Sequence, residues 1–273
     1  MYKALALDLD GTLTNSRKEI TEKTRETLFS AMDRGVKVIL ASGRPLMGIT
    51  YPAHMLEMER RGGIIMAFNG GVIVDCISGN VLRRVTVPPE CIPDIYAAAQ
   101  AAACIPITYT EDEIVTETID EYVLKEKICV NADIMTVESM LDFVDYPTPK
   151  FLIVGPHEKL IVAEKMLKDK HSDKLNIFYS ESYFLEVCPK GVSKDTGLAA
   201  VCEHLGLSSA ELMACGDGMN DMPMLGFAGL SVAMANSCKA VLDMADYVTL
   251  SNDDDGVADA VEKFILTDEN KNR

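Results

Sequence analysis

Residues 5–14 read Leu5-Ala6-Leu7-Asp8-Leu9-Asp10-Gly11-Thr12-Leu13-Thr14. A short apolar run stops abruptly at two carboxylates. Such a run, without polar alternation, is the pattern of a strand buried on both faces in the middle of a parallel sheet. Asp8 and Asp10 then lie at the strand's carboxyl end, where open α/β sheets keep their ligand crevice. Residues two apart on a strand face the same way, and Gly11 lets the backbone turn tightly there. Neighbouring carboxylates repel unless a cation or a shared proton relieves them. The stretch asks for a metal.

Working outward, the same rhythm of apolar strand and amphipathic helix continues. Residues 4–7 form a first strand, 21–33 a helix stopped by Gly35, and 36–41 a second strand ending in Ser42-Gly43-Arg44. A helix through Leu56 leads to a third strand over 64–68. Asn69-Gly70-Gly71 then turns the chain into a hairpin of 72–75 against 81–85. Strands alternating with helices imply right-handed βαβ units. The character changes after Val87-Pro88-Pro89. A helix over 89–104, strands at 107–109, 114–118 and 151–154, a helix over 158–169 and an antiparallel pair at 176–180 and 184–188 describe an inserted α+β unit. The α/β rhythm resumes at Lys190, with helices at 195–204 and 219–225, strands at 212–215 and 230–233, and a last helix at 256–266. The expected fold is a doubly wound, mostly parallel α/β sheet (1–86 and 190–273) interrupted by an α+β domain (87–189).

Composition narrows the function. A chain of 273 residues with 48% hydrophobic and 25% charged residues suits a soluble globular protein of two domains. A formal charge of −16 argues against nucleic-acid and anionic-membrane partners, which need a basic face. It also repels phosphorylated metabolites at long range, so a phosphate site needs local help from lysine, metal and amides. The eight cysteines include no Cys-x-x-Cys pair, a pattern of free thiols in a reducing cytosol. Asp8 and Asp10 break the apolar N-terminus before it could act as a secretory signal, and no stretch has the length of a membrane span. The expected location is the cytoplasm.

Four strand-end clusters carry chemistry. In the first, Asp8 and Asp10 compete with the plainer reading of an Asp-Gly turn. The second, Ser42-Gly43, offers a hydroxyl and amides to phosphate oxygens at a helix N-terminus, although serine there is also an ordinary N-cap. The third is Lys194, just after Ser193 at the start of a helix. A cation is badly placed against the helix dipole, so a bound anion would explain it, whereas most lysines are simply solvated. The fourth is Gly216-Asp217-Gly218-Met219-Asn220-Asp221, too rich in acid and amide for a turn alone. The run Asp253-Asp254-Asp255 reads as favouring the positive end of the last helix rather than holding metal.

In this order the clusters resemble the four motifs of the haloacid dehalogenase superfamily of phosphatases, in the Cof-type branch with a large α/β cap. The resemblance spans the whole chain, since the insertion also sits where that branch carries its cap. It implies that Asp8 is the nucleophile that forms an aspartyl-phosphate, and that Asp10 protonates the leaving alcohol and then activates water. It implies that Ser42, with Gly43, holds phosphoryl oxygens, and that Lys194 neutralises them and orients Asp8. Mg²⁺ would be bound by the Asp8 side chain, the Asp10 backbone carbonyl and Asp217, with Asn220 and Asp221 in support; Asn220 is equally a candidate phosphate contact. The implied substrate is a small phosphorylated metabolite, with sugar phosphates foremost. The implied cap closes over it, excludes water and sets specificity.

The chemistry of these residue types agrees. A carboxylate attacks phosphorus only when both anions are screened. Mg²⁺ prefers a few carboxylates with water and phosphate, and needs no histidine or cysteine. An acid two residues beyond the nucleophile can serve both half-reactions. Haloalkanoate dehalogenation fits this residue set less well. Alternatives that share it are a phosphosugar mutase and a silent metabolite-binding regulator. Three positions depart from the family pattern. Asp195 follows Lys194 where glycine is common, and reads as favouring the helix N-terminus, with perturbation of Lys194 or rejection of very anionic substrates as the alternative. Ala235 replaces a glycine before Asn236, which reads as a turn residue ahead of a substrate contact. Asn69-Gly70-Gly71 reads as a turn towards the cap, with lining of the pocket as the lesser alternative. In the insertion, Glu186 shares a strand face with Phe184 and Cys188 and is a candidate cleft acid, although most such acids are solvated.

Overall fold

The computed structural model describes residues 2–267. Its strands are β1 (Ala4–Leu7), β2 (Lys37–Ala41), β3 (Ile64–Ala67), β4 (Val72–Asp75), β5 (Val81–Arg84), β6 (Ile105–Tyr109), β7 (Glu113–Thr116), β8 (Asp133–Thr136), β9 (Phe151–Val154), β10 (Leu175–Glu181), β11 (Phe184–Pro189), β12 (Leu212–Gly216), β13 (Leu230–Ala233) and β14 (Tyr247–Val248). Its α-helices are α1 (Glu22–Asp33), α2 (Met47–Met55), α3 (Met58–Arg61), α4 (Ile92–Ala101), α5 (Glu121–Val130), α6 (Met140–Phe143), α7 (His157–His171), α8 (Lys194–Leu205), α9 (Met222–Phe227), α10 (Lys239–Met244) and α11 (Gly256–Val261). The chain divides into two compact units.

The first unit comprises residues 2–43, 49–83 and 193–267. Its sheet runs β14-β13-β12-β1-β2-β3-β4-β5. The pairs from β14 to β3 are parallel, and β4 turns back antiparallel to β3. β1 is buried at every residue because parallel neighbours flank it and helices cover both faces. On one face Leu198, Val201 and Cys202 of α8 and Met224 and Leu225 of α9 join Ala4, Ala6, Ile39, Ala41, Ile64 and Met66 in one core. On the other, α1 packs against β2 and α11. Each fully buried leucine of β1, such as Leu5 or Leu7, contributes about 1.5–3 kcal/mol by leaving water. The chain steps from β1 to β2 and β3 in one direction and from β12 to β13 and β14 in the other. The order therefore reverses between β1 and β12, the kind of place where such sheets bind ligands. The doubly wound architecture expected from the sequence is the one observed.

The second unit comprises residues 44–48 and 84–192. Its sheet runs β10-β11-β9-β6-β7-β8, antiparallel except for the β7–β8 pair. Ile95, Ala98 and Ala99 of α4 and Leu160, Ala163 and Leu167 of α7 cover the face presented by Phe151, Ile153, Leu185 and Val187. Strand alternation turns Glu186, between the last two, to the opposite face. There it is buried rather than solvated. Lys150 Nζ lies 2.9 Å from its Oε2, and Ser180 Oγ donates to its Oε1 at 2.8 Å. Tyr109 donates to the buried Glu126 at 2.7 Å, whose carboxyl is pushed above the usual range by burial.

Several elements differ from the sequence reading. Helices α3, α5, α6 and α10 and strands β8 and β14 were not expected. The helix expected at 219–225 begins with a 3₁₀ turn, Met219–Asp221, before α9. The last helix passes into a π-helical turn over Glu262–Leu266. Among the described residues no helix is long and apolar enough to cross a membrane. Replacing Lys150 by methionine strands buried carboxylates without a counter-charge, and we expect a loss of about 3–5 kcal/mol. Urea unfolding checks this, and the Lys150→Met/Glu186→Leu double variant is expected to recover most of the loss.

Candidate active site

The carboxyl ends of four adjacent strands, β12, β1, β2 and β3, lie side by side. Asp217 follows β12, Asp8 follows β1, and Ser42 follows β2. The Asp8 N–H donates to Cys215 O at 3.1 Å, extending the β1–β12 ladder one residue past the strand. The loop beyond β1 folds back on itself, with Leu13 N–H donating to Asp8 O at 3.1 Å and Thr14 N–H to Leu9 O at 2.9 Å. Gly11 allows this at φ +80°, and a Cβ there would collide with the Asp217 carboxylate. The Asp217 carboxylate is thus seated directly on the first loop. Thr12 Oγ1 donates to its Oδ1 at 2.8 Å.

Lys194 occupies the first turn of α8, after a capping box built by Ser193 and Thr196. Its side chain is fully buried, with Nζ 2.5 Å from Asp8 Oδ1 and 2.5 Å from Asp221 Oδ1. The anions that offset its unfavourable place on the helix dipole are therefore carboxylates of the chain itself. Asp221 uses its other oxygen to accept from the N–H groups of Asp217 and Gly218, at 3.0 and 2.9 Å. It holds Lys194 and the loop in one piece. Asp195 accepts from the Ser193 hydroxyl within the same first turn, as a carboxylate favouring a helix N-terminus does.

Carboxylate oxygens of Asp8, Asp217 and Asp221 lie within 4.8 Å of one another. Three carboxylates share one ammonium. Burial and the neighbouring Asp221 push Asp8 upward, with Lys194 acting in the opposite direction. Burial raises Asp217 to about 6 against the hydrogen bond from Thr12. Lys194 is raised because its acidic neighbours outweigh its burial. An all-oxygen donor set, buried at Asp8 and Asp221 and half-buried at Asp217, with surplus negative charge fits a hard divalent cation such as Mg²⁺.

Other expected residues lie around this cluster. Ser42 is buried, its N–H donating to Met66 O and its C=O accepting from Asn69 N–H, both at 2.9 Å. The Asp10 carboxylate stands outside the buried cluster and pairs with Lys18 at 2.6 Å. Asn220 is exposed and its Oδ1 lies over Gly218, 2.6 Å from where a Cβ would stand. Asn236 donates to Gly11 O at 2.8 Å and accepts from Asn252 N–H at 3.0 Å. The 253–255 run leads into α11, with Asp255 at its N-cap, and its side chains are also held by other parts of the chain. Asp253 accepts from Ser16 N–H at 2.8 Å, Asp254 from Ser251 Oγ at 2.6 Å and Asp255 from Thr21 Oγ1 at 2.5 Å.

The family model of the haloacid dehalogenase-like hydrolases matches residues 5–261. The chain belongs to the haloacid dehalogenase superfamily. Its place there is among the Cof-type phosphatases. A haloacid dehalogenase-like hydrolase structure from Bacteroides thetaiotaomicron is 43% identical, with a TM-score of 0.93 over 96% of this chain and 99% of that one. A subclass IIB sugar phosphatase of the superfamily is 26% identical, with a TM-score of 0.84 over 97% of this chain and 100% of that one. A 5-amino-6-(5-phospho-D-ribitylamino)uracil phosphatase of Bacillus subtilis is 30% identical, over 97% of this chain and 96% of its own.

A carboxyl raised by folding binds protons more tightly in the native state, so the native state loses stability as pH rises through the folded pKa. For Asp217 the window runs from 3.8 to about 6, and Asp8 extends it upward. Metal-free protein is therefore expected to lose melting temperature as pH rises through this range. Mg²⁺ should restore more at pH 8 than at pH 5, and Asp217→Asn should flatten the slope. Thermal melts with and without chelator measure each effect.

Proposed function

We propose that this phosphatase hydrolyses phosphate monoesters of small metabolites, sugar and sugar-alcohol phosphates foremost, through an aspartyl-phosphate on Asp8. The observation that carries the reading is the buried Asp8 carboxylate, held against the Lys194 ammonium beside two further acids. An Asp8 oxygen attacks phosphorus as the ester oxygen leaves, and Asp10 gives that oxygen its proton. Asp10 then takes a proton from water, whose oxygen attacks phosphorus, releasing phosphate and restoring the Asp8 carboxylate. Lys194 offsets charge on the reacting oxygens, and Ser42 with Gly43 holds those that do not react. Mg²⁺, held by the Asp8 side chain, the Asp10 carbonyl and Asp217, would supply the remaining neutralisation between anionic nucleophile and anionic phosphate. Asp221 keeps Lys194 in register, and Asn236 fixes the Gly11 carbonyl of the loop that carries Asp10.

Asp10 must leave Lys18 to reach a leaving group. Exposed ion pairs hold groups by about 1 kcal/mol or less, so this release is a small barrier. The substrate class takes support from two relatives named for phosphorylated carbohydrate chains, a sugar phosphatase and a ribitylamino-uracil phosphatase. In this reading the inserted segment 87–189 selects the leaving group. The eight free cysteines suit work in a reducing cytoplasm.

A panel of sugar phosphates, with p-nitrophenyl phosphate as a generic ester, tests the reading by release of inorganic phosphate. Wild-type turnover should require Mg²⁺ and stop with chelator. Asp8→Asn should lower kcat by roughly a thousandfold or more, as loss of a covalent nucleophile does. Phosphate release unchanged in Asp8→Asn would overturn the mechanism. Transfer between sugar positions without release would assign the protein to the mutases instead.

A further inference from the structure

Asp217, Asp8 and Ser42 follow three neighbouring strands, and the next strand in line, β3, is followed by Phe68-Asn69-Gly70. This turn holds three consecutive positive φ angles, +51° at Phe68, +55° at Asn69 and +94° at Gly70. Side-chain-bearing residues rarely adopt that conformation, and strain of this kind concentrates at functional sites. Its neighbours fix it in place. The Asn69 N–H donates to Ser42 O at 2.9 Å. A Cβ on Gly70 would stand 2.9 Å from Gly197 Cα and 3.0 Å from Ser193 O, so the turn is pressed onto the first turns of α8, which begins with Lys194. One tight turn thereby links the backbone of Ser42 to the helix of Lys194.

The Asn69 carboxamide lies against Gly43, with both terminal atoms 3.3 Å from where a Cβ on Gly43 would stand. Its terminal Oδ1 is buried and has no hydrogen-bond partner. Buried polar atoms are nearly always paired, and an exception calls for a ligand or another explanation. A turn asparagine that served only its backbone would bond locally or face water. The two ends of a carboxamide have the same shape, so a half-turn of the group places N–H₂ where the oxygen stands. A buried donor beside Ser42 and Gly43 suits an anion.

We propose that Asn69 is a further substrate-contacting residue of this site, its carboxamide donating to an oxygen of the phosphoryl group held by Ser42 and Gly43. The inference rests on the phosphatase reading above. Two variants separate contact from folding. Asn69→Gly keeps a residue at ease at positive φ and removes the carboxamide, while Asn69→Asp keeps the shape and puts a carboxylate in its place. The probes are inorganic phosphate, read as its Ki against p-nitrophenyl phosphate with Mg²⁺ present, and the melting temperature of each protein.

Asn69→Gly should raise the phosphate Ki and the ester KM about tenfold, the effect of one hydrogen bond to a charged group, with the melting temperature kept. Asn69→Asp should raise both further. A Ki unchanged in Asn69→Gly overturns the inference. So does a Ki unchanged in Asn69→Asp, which would make the oxygen the working end. Equal losses in both variants with a fallen melting temperature also overturn it, by making the role structural. A wild-type protein that neither hydrolyses the ester nor is inhibited by phosphate would instead overturn the phosphatase reading.

Discussion

Lys194 Nζ stands 2.5 Å from two buried carboxylates, Asp8 and Asp221, and Asp217 lies close by. One positive charge among three acids, two of them buried and Asp217 half-buried, is an unbalanced arrangement. Desolvation of such groups costs several kcal/mol per ion unless the site is well bonded. The surrounding structure supplies bonds: two amides to Asp221, a threonine hydroxyl to Asp217 and a capped helix under Lys194. What they leave over is net negative charge, and that surplus fits the site to a divalent cation and an electrophilic phosphorus. Strand ends hold Asp8 and Asp217, and the bonded 3₁₀ turn holds Asp221, so the acids do not move apart to relieve it.

Much of this was legible in the chain. The unbroken apolar run of β1 is readable because a central parallel strand has no wet face, and acids ending such a run have few structural uses. The order of Asp8, Ser42, Lys194 and Asp217 along the sequence is also the evidence for family. The rest depends on tertiary contacts. Helix α5 mixes exposed Leu124 and Ile128 with buried Glu126, which blurs its periodicity. Lys18, which pairs with Asp10, sits at φ +63°, a conformation for which lysine has no preference. The partners of Asp253 and Asp255 lie more than 230 residues away, so local dipole reasoning could not find them. For Glu186 the sequence offers a cleft acid or a solvated one and not a buried ion pair, because its partner, Lys150, comes from a different part of the chain.

The two units handle buried charge differently. In the second, Lys150 answers Glu186, and Glu126 is capped by a tyrosine. A cluster satisfied in that way stiffens a sheet face. In the first, the acids converge beyond what one lysine can answer. The same residue types give a fastening in one place and a cluster with surplus negative charge in the other, and the count of opposing charges makes the difference.

The loop that follows β1 is braced by residues from the far end of the chain. Asn236 holds the Gly11 carbonyl, Asn252 the Thr14 carbonyl and Asp253 the Ser16 amide. Contacts of such sequence separation are slow to close, since long loops must be ordered before they are rewarded. During synthesis Asp8 leaves the ribosome long before Lys194 and the residues that brace its loop. The nascent chain therefore carries the acids of this cluster unassembled, and the cluster forms late and as a unit.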